Sequence, residues 1–188
     1  MPLAIEPSDL KTALACLRQG QIIAYPTEAV YGLGCDPFQA EAVSRLLQLK
    51  QRSVDKGLIL IAASWSQIES LVEPVPPPAL AQALASWPGP VTWVFPAGST
   101  VPSWIRGRHR TVALRVSAHP VVQELCQAYG GPMVSTSANR EGEPPLRDFR
   151  AMQMMFGKQI DFIVPGKVGG LSNPTPIRDA ISGQTLRP

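Results

Sequence analysis

The run Gly57-Leu-Ile-Leu-Ile-Ala62 constrains the fold of this chain more than any other feature. It has the length of a strand and no polar position on either side of its pleat, which predicts a central strand covered on both faces. Such a strand needs partners in a sheet and helices above and below it. Twenty prolines and fifteen glycines divide the rest of the chain into short elements joined by fixed turns. Leu10, Ala13, Leu14 and Leu17 recur at helical spacing after Ser8-Asp9, and Gly20 ends that helix. Gln21–Tyr25 reads as a strand stopped by Pro26. A second helix runs through Val43, Leu46, Leu47 and Lys50. Ser64-x-x-Gln67 has the form of a capping box for a short helix ending near Val72. A helix over 79–87, strands over 91–96 and 111–116, a helix over 120–129 and a strand over 132–135 follow. The last third reads as a helix over 149–156, a strand over 160–164, and extended segments near Ile177 and Thr185.

Strands and helices interleave, but several connections are too short for a crossover. The expectation is a mixed α/β (α+β) fold, a twisted mixed sheet with helices packed on it, rather than a pure doubly wound one. A chain of 188 residues buries roughly 70% of its unfolded surface, enough for one domain over 1–188 without staples. No internal repeat is present, and the stiff segment 73–78 is too short to separate domains. Charged residues make up only 16% and hydrophobic ones 45%, a composition that argues against disorder. No apolar run approaches the ~20 residues of a membrane span. The opening MPLAIEPSDL has neither a basic leader nor an apolar core, so the expected location is cytoplasmic, with no membrane. Cys16, Cys35 and Cys126 are odd in number and far apart, which suits a reducing compartment and buried core thiols.

Charge is distributed unevenly. Twelve of the 17 basic residues are Arg, and no carboxylate falls between Pro74 and Gln123, a stretch carrying Arg106, Arg108, Arg110 and Arg115. A locally positive surface that grips phosphate or carboxylate follows, against the plainer reading of 106–110 as a solvated loop. Four polar segments adjoin apolar strands. In Tyr25-Pro-Thr-Glu-Ala-Val-Tyr-Gly-Leu-Gly34, Pro26 forces a turn that exposes Thr27 and Glu28 at a strand end. Lys50, Arg52 and Lys56 lie between a helix and the central strand, more cations than a helix C-terminus requires, and could converge on a polyphosphate. Ser135-Thr-Ser-Ala-Asn139 offers small hydroxyl and amide groups for phosphate and ribose, although such residues also build turns. Asn173-Pro-Thr-Pro-Ile-Arg-Asp179 makes Thr175 and Arg178 available to a ligand. Arg115 interrupts an apolar strand, so it either clamps a carboxylate in a cleft or faces solvent from an edge. Walker-type and G-x-G-x-x-G loops, G-x-S-x-G, metal-spaced histidines and a carboxylate pair are all absent from the sequence. What remains is the positioning of anionic substrates.

These blocks, taken in order, resemble the YrdC/TsaC family of L-threonylcarbamoyl-AMP synthases. The matching residues are Tyr-Pro-Thr-Glu at 25–28 with Tyr-Gly-Leu-Gly at 31–34, Lys-Gln-Arg at 50–52, and Lys-Gly-Leu-Ile-Leu-Ile at 56–61. They continue with Trp-Pro-Gly-Pro-Val-Thr at 87–92, Ala-Leu-Arg-Val at 113–116, Val-Ser-Thr-Ser-Ala-Asn at 134–139 and Pro-Ile-Arg-Asp at 176–179. The resemblance implies a YrdC-like twisted sheet with a concave basic cleft. It implies a nucleotidyltransferase that joins L-threonine, bicarbonate or CO2, and ATP, releasing pyrophosphate. The product, L-threonylcarbamoyladenylate, would go to downstream tRNA threonylcarbamoyl-transferase proteins that modify the adenosine beside the anticodon. By the same resemblance Thr27 and Arg115 bind threonine. Lys50 and Arg52 are catalytic, and Lys50, Arg52, Lys56, Ser135, Ser137, Asn139 and Thr175 hold ATP, with Mg2+ on the triphosphate and no protein metal site. Three departures accompany the match: Ser53 replaces a proline, Ile61 replaces a histidine of longer relatives, and the chain stops at Pro188 without their accessory domain, the short single-domain form. The alternative from another class is a protein that binds tRNA or double-stranded RNA through the same basic surface. Aromatic content of 6% argues against readout by base stacking. A carbamoyl-phosphate-using hydrogenase maturation module shares the domain type but carries further domains for which this chain has no room.

Overall fold

The computed structural model describes residues 4–140 and 142–188. Its strands are β1 (Ile23–Pro26), β2 (Tyr31–Gly34), β3 (Ile59–Ala62), β4 (Thr92–Pro96), β5 (Thr111–Val116), β6 (Met133–Ser137), β7 (Phe162–Ile163), β8 (Ile177–Asp179) and β9 (Thr185–Arg187). The helices are α1 (Pro7–Arg18), α2 (Ala40–Lys50), α3 (Pro77–Ala85), α4 (Ser103–Arg106), α5 (Pro120–Tyr129) and α6 (Phe149–Phe156). The strands join in the order β7-β1-β2-β6-β3-β5-β4-β8-β9. β1 pairs with β7, β3 with β5 and β4 with β8 in parallel, and the remaining neighbours are antiparallel. The apolar run becomes β3, fifth of the nine. The sheet is mixed because hairpin connections such as the one between β1 and β2 alternate with helical crossovers.

Side-chain alternation then builds two layers. Ala24, Leu33, Leu60, Ala62, Phe95, Val112 and Leu114 point to one face, where residues of α2, α3, α4 and α6 close the larger core. Ile23, Tyr25, Ile61 and Met133 point to the other, where α1 and α5 cover them with Leu17, Val121, Val122 and Leu125. These two helices are too few to cover a nine-stranded face, and the part they leave open becomes the cleft described below. β3 is therefore covered on both faces only in its second half: Ile61 is fully buried, while Ile59 is half-buried and faces the opening.

Several elements differ from expectation. The segment 64–72 forms two 3-10 turns, Trp65–Gln67 and Glu69–Leu71, instead of a capped helix. Gln67 accepts from Ala63 N (2.8 Å) and donates to Cys126 O (2.8 Å), while the Ser64 hydroxyl bonds only Ser66, so Gln67 ties the turn to α5 and leaves no N-cap. The Tyr-Gly-Leu-Gly segment is strand β2 and not simply a ligand-side turn. Two glycines hide its strand character, yet the packing requires them: a Cβ on Gly34 would lie 2.4 Å from Val134 O and 2.9 Å from the Tyr25 ring. Short α4 had no periodicity to announce it. The three cysteines are free and buried, and burial pushes the Cys35 and Cys126 thiols up to about 12.

Two outcomes follow from this packing. Gly34→Ala should destabilise the protein by about 1–3 kcal/mol through overpacking against β6, read as a lowered urea midpoint. Gly130→Ala, whose Cβ meets nothing within 4 Å, costs only the strain of a φ of 88°. Because a raised pKa keeps a thiol protonated, Cys35 and Cys126 should resist iodoacetamide at pH 8 in the native protein and label fully in urea, measured by mass spectrometry.

Candidate active site

The open part of the sheet face is the floor of a cleft of about 540 Å3. Alternation decides which side chains reach it: Thr111, Ala113 and Arg115 from β5, Ile59 from β3, Val94 from β4, Ser135 and Ser137 from β6, and Ile177 from β8. Around this floor stand Thr27, Arg52, Lys56, Arg106, Asn139, Thr175 and Arg187. Among the described residues that line the cleft there are four arginines and one lysine and no carboxylate. Crowding of like charge leaves a mark on Arg187. Burial, with the positive charges of Arg115 and Arg52 behind it, lowers the pKa of its guanidinium below the usual value. An anion entering the cleft relieves that repulsion.

Arg115 is buried at 6% exposure on a strand between β3 and β4, which removes the edge-strand reading. Its Nη1 donates to Thr175 Oγ1 (3.0 Å) and its Nη2 lies 3.5 Å from Glu28 Oε2. Thr27 and Glu28, expected to be exposed at the strand end, are both buried, at 4% and 8%. The hairpin folds back on itself there, with Thr27 Oγ1 donating to Val30 O (2.8 Å). Thr175 is fixed from the other side, its carbonyl accepting from Arg187 Nη2 (2.8 Å).

Lys50 and Arg52 part company at the end of α2. Gln51 takes a left-handed conformation (φ 53°) as the C-cap, which turns the chain between them. Arg52 reaches the cleft and donates to Gly57 O (3.1 Å), and Lys56 lines the cleft beside it. Lys50 does not line the cleft. It is buried at 4%, and its ammonium donates to the carbonyls of Ser137 and Asn139 (2.8 Å to the latter) and to Asn139 Oδ1 (3.2 Å). Ser137 Oγ donates to the same Oδ1 (2.6 Å), and Asn139 Nδ2 to Glu143 O (2.7 Å), so the polar segment after β6 is braced before any ligand arrives. Ser53 Oγ accepts from Asp55 N (3.2 Å) and caps the 3-10 turn Val54–Lys56, so the turn is tied without a proline. Ile61 packs into the core under α5, away from the polar groups.

Eight of the nine expected residues thus share one cleft, with Lys50 beneath its wall. Arg178 is the correction. β8 turns Ile177 into the cleft, so Arg178 points to the opposite face, over the Trp93 ring at 5.9 Å. Arg187 was not read from the sequence, since its approach depends on β9 pairing with β8 across a register shift at Ile177/Arg178. Among the described residues no group of His, Cys, Asp and Glu could hold a metal, and no helix is long and apolar enough to cross a membrane.

A cleft lined by four arginines, with no carboxylate among its described residues, on the open face of a mixed sheet defines a class of α/β proteins that gather anions without a glycine-rich phosphate loop. The Sua5/YciO/YrdC family model, described as telomere recombination, matches residues 15–188, and the chain belongs to that family. It is 56% identical over 178 residues to a threonylcarbamoyl-AMP synthase of Coxiella burnetii, covering 95% of this chain and 96% of that one. It is 52% identical over 180 residues to a threonylcarbamoyl-AMP synthase of Stenotrophomonas maltophilia, covering 95% and 97%. Among solved structures, P. abyssi Sua5 complexed with L-threonine superposes with a TM-score of 0.87 at 33% identity, covering 93% of this chain and 51% of that longer one. E. coli YciO superposes with a TM-score of 0.85 at 25% identity, covering 100% and 94%.

The cleft's charge predicts its ligand. Pyrophosphate at 100 times its Kd should raise the unfolding free energy by about 2.7 kcal/mol, seen as a higher melting temperature that shrinks with added salt. Arg52→Ala should abolish most of the shift.

Proposed function

We propose that this chain makes L-threonylcarbamoyl-AMP from L-threonine, CO2 supplied by bicarbonate, and ATP, the first step of threonylcarbamoyladenosine formation in tRNA. The observation that carries the proposal is the meeting of two polar sets in one positive cleft: Thr27 and Arg115 for the amino acid, and Arg52, Lys56, Ser135, Ser137, Asn139 and Thr175 for the nucleotide. The relatives named for this reaction match the chain over nearly their whole length.

In this reading Arg115 binds the threonine carboxylate and Thr27 contacts the amino acid. The threonine amine attacks CO2, forming an N–C bond and losing a proton, to give a carbamate. A carbamate oxygen then attacks the α-phosphorus, and the bond to the β-phosphate breaks as pyrophosphate leaves. Nucleophile, α-phosphate and leaving group are all anionic, so Arg52, Lys56 and Arg187 lower the barrier by stabilising accumulated charge held in line. Ser135, Ser137 and Asn139 receive the nucleotide, with Thr175 at the junction of the two sets. Lys50 acts through the backbone, since its ammonium fixes the carbonyls that set the Ser137–Asn139 segment. Magnesium enters as part of the ATP substrate, its ligands mainly phosphate oxygens and water. Residues 1–188 work as one cytoplasmic domain whose product passes to tRNA threonylcarbamoyl-transferase proteins.

Pyrophosphate release from ATP should require both threonine and bicarbonate, and mass spectrometry should detect the threonylcarbamoyl adenylate. Lys50→Ala and Ser137→Ala should each lower kcat/KM by about 10–100-fold; undiminished release in both would refute the site. Tight duplex RNA binding with a steep salt dependence and no pyrophosphate release would favour the RNA-binding alternative.

A further inference from the structure

Glu28 is a buried carboxylate in a turn, where packing alone gives no reason for a charge. Acidic side chains are almost never this buried unless paired. Its Oε1 accepts from Ser117 Oγ (2.7 Å) and from Ala118 N (3.2 Å), both just past the end of β5. Its Oε2 has no hydrogen-bond partner and faces Arg115 Nη2 at 3.5 Å. Its main chain is engaged as well. Glu28 O accepts from Leu171 N (3.0 Å) and Thr27 O from Gly169 N (2.9 Å). The approach is close: a Cβ on Gly169 would lie 3.0 Å from both Glu28 Cα and Glu28 O. One residue therefore joins three segments that are distant in sequence: the β1–β2 turn with Thr27, the strand with Arg115, and the 169–175 segment with Thr175.

The pairing also leaves Arg115 in a particular state. With Nη1 on Thr175 and Nη2 toward Glu28, its Nε is buried and has no partner. A buried donor left unsatisfied is costly, and an entering carboxylate removes that cost. The long 3.5 Å contact with Glu28 orients the guanidinium without closing it into a bidentate pair.

We infer that Glu28 is the positioning residue of the threonine subsite: braced by Ser117, it aims the Arg115 guanidinium at the amino acid carboxylate and sets its spacing from Thr27 and Thr175. This rests on the function proposed above and adds a residue to it that never touches the reacting atoms. Glu28→Gln keeps the size and can still accept from Ser117. It removes the charge and sets an amide N–H2 against the guanidinium.

The experiment is steady-state kinetics of pyrophosphate release in the full chain, varying threonine and ATP separately, with melting temperatures recorded. For E28Q the KM for threonine should rise about tenfold or more while kcat and the KM for ATP stay within about threefold. Ser117→Ala should raise the threonine KM by a smaller factor, about threefold. Glu28→Asp, which keeps the charge, should fall between wild type and E28Q. If E28Q does not fold, the same split in S117A decides. A threonine KM within twofold of wild type, or equal losses in both KM values alongside a lowered melting temperature, overturns the inference and leaves the proposed function standing. A wild-type chain with no threonine-dependent release overturns both.

Discussion

Strand β6 holds this sheet together. Met133, Val134 and Ser135 pair with β3, and Thr136 and Ser137 pair with β2, so five residues join a hairpin half to a crossover half. Without that shared strand the chain would have two small sheets and no continuous face. The same strand places Ser135 and Ser137 at the middle of the floor, and its outgoing end is fixed by the Lys50 ammonium. Close packing at the junction is strict. Tyr25 Oη donates to Val134 O (3.0 Å), and Gly34 leaves room for that carbonyl.

The second constraint is electrostatic. Four guanidiniums and an ammonium cannot gather in one cleft without compensation, and the chain supplies it from behind. Arg115, the most buried of them, has Glu28 on its far side. Arg52 is anchored on the Gly57 carbonyl, Arg106 on the carbonyl of His109 (3.0 Å), and Arg187 on the Thr175 carbonyl. Carbonyl acceptors hold a guanidinium in place while leaving its net charge intact, so the cleft remains positive toward an incoming anion. A carboxylate partner on every arginine would have steadied the side chains equally well and cancelled the field. Among the described residues that line the cleft, none is an acid.

Much of the architecture was legible because it rests on local patterns. The apolar run 57–62, the helical spacings of α1 and α2, and the strands around Val94, Leu114 and Val134 all follow from periodicity that the neighbours reinforce. The local signal fails where a neighbour overrides it. The Gln67 amide turned a capping box into a tie to α5, and two glycines masked β2 because their purpose is a close approach from another strand. The polar segments stand out as candidate ligand residues because nothing in a plain fold needs them after apolar strands. Their orientation was beyond reach. Arg178 and Arg187 lie in similar extended segments, yet the parity of one strand turned Arg178 away, and a register shift brought Arg187 in.

The order of residues alone establishes an α/β chain with a central apolar strand, a positive surface lacking carboxylates over fifty residues, and a set of polar segments in the order of a known family. It does so because hydrophobic period, charge and motif are properties of neighbours along the chain. Folding decided which half of a sheet face stays uncovered, that Lys50 lies under the cleft wall while Arg52 enters it, and that Glu28 stands behind Arg115. Those outcomes depend on strand register and on contacts between residues 89 and 90 positions apart, as between Glu28 and Ser117 or Ala118. A one-residue change of register sends a side chain to the other face, and no pattern local to the chain records it.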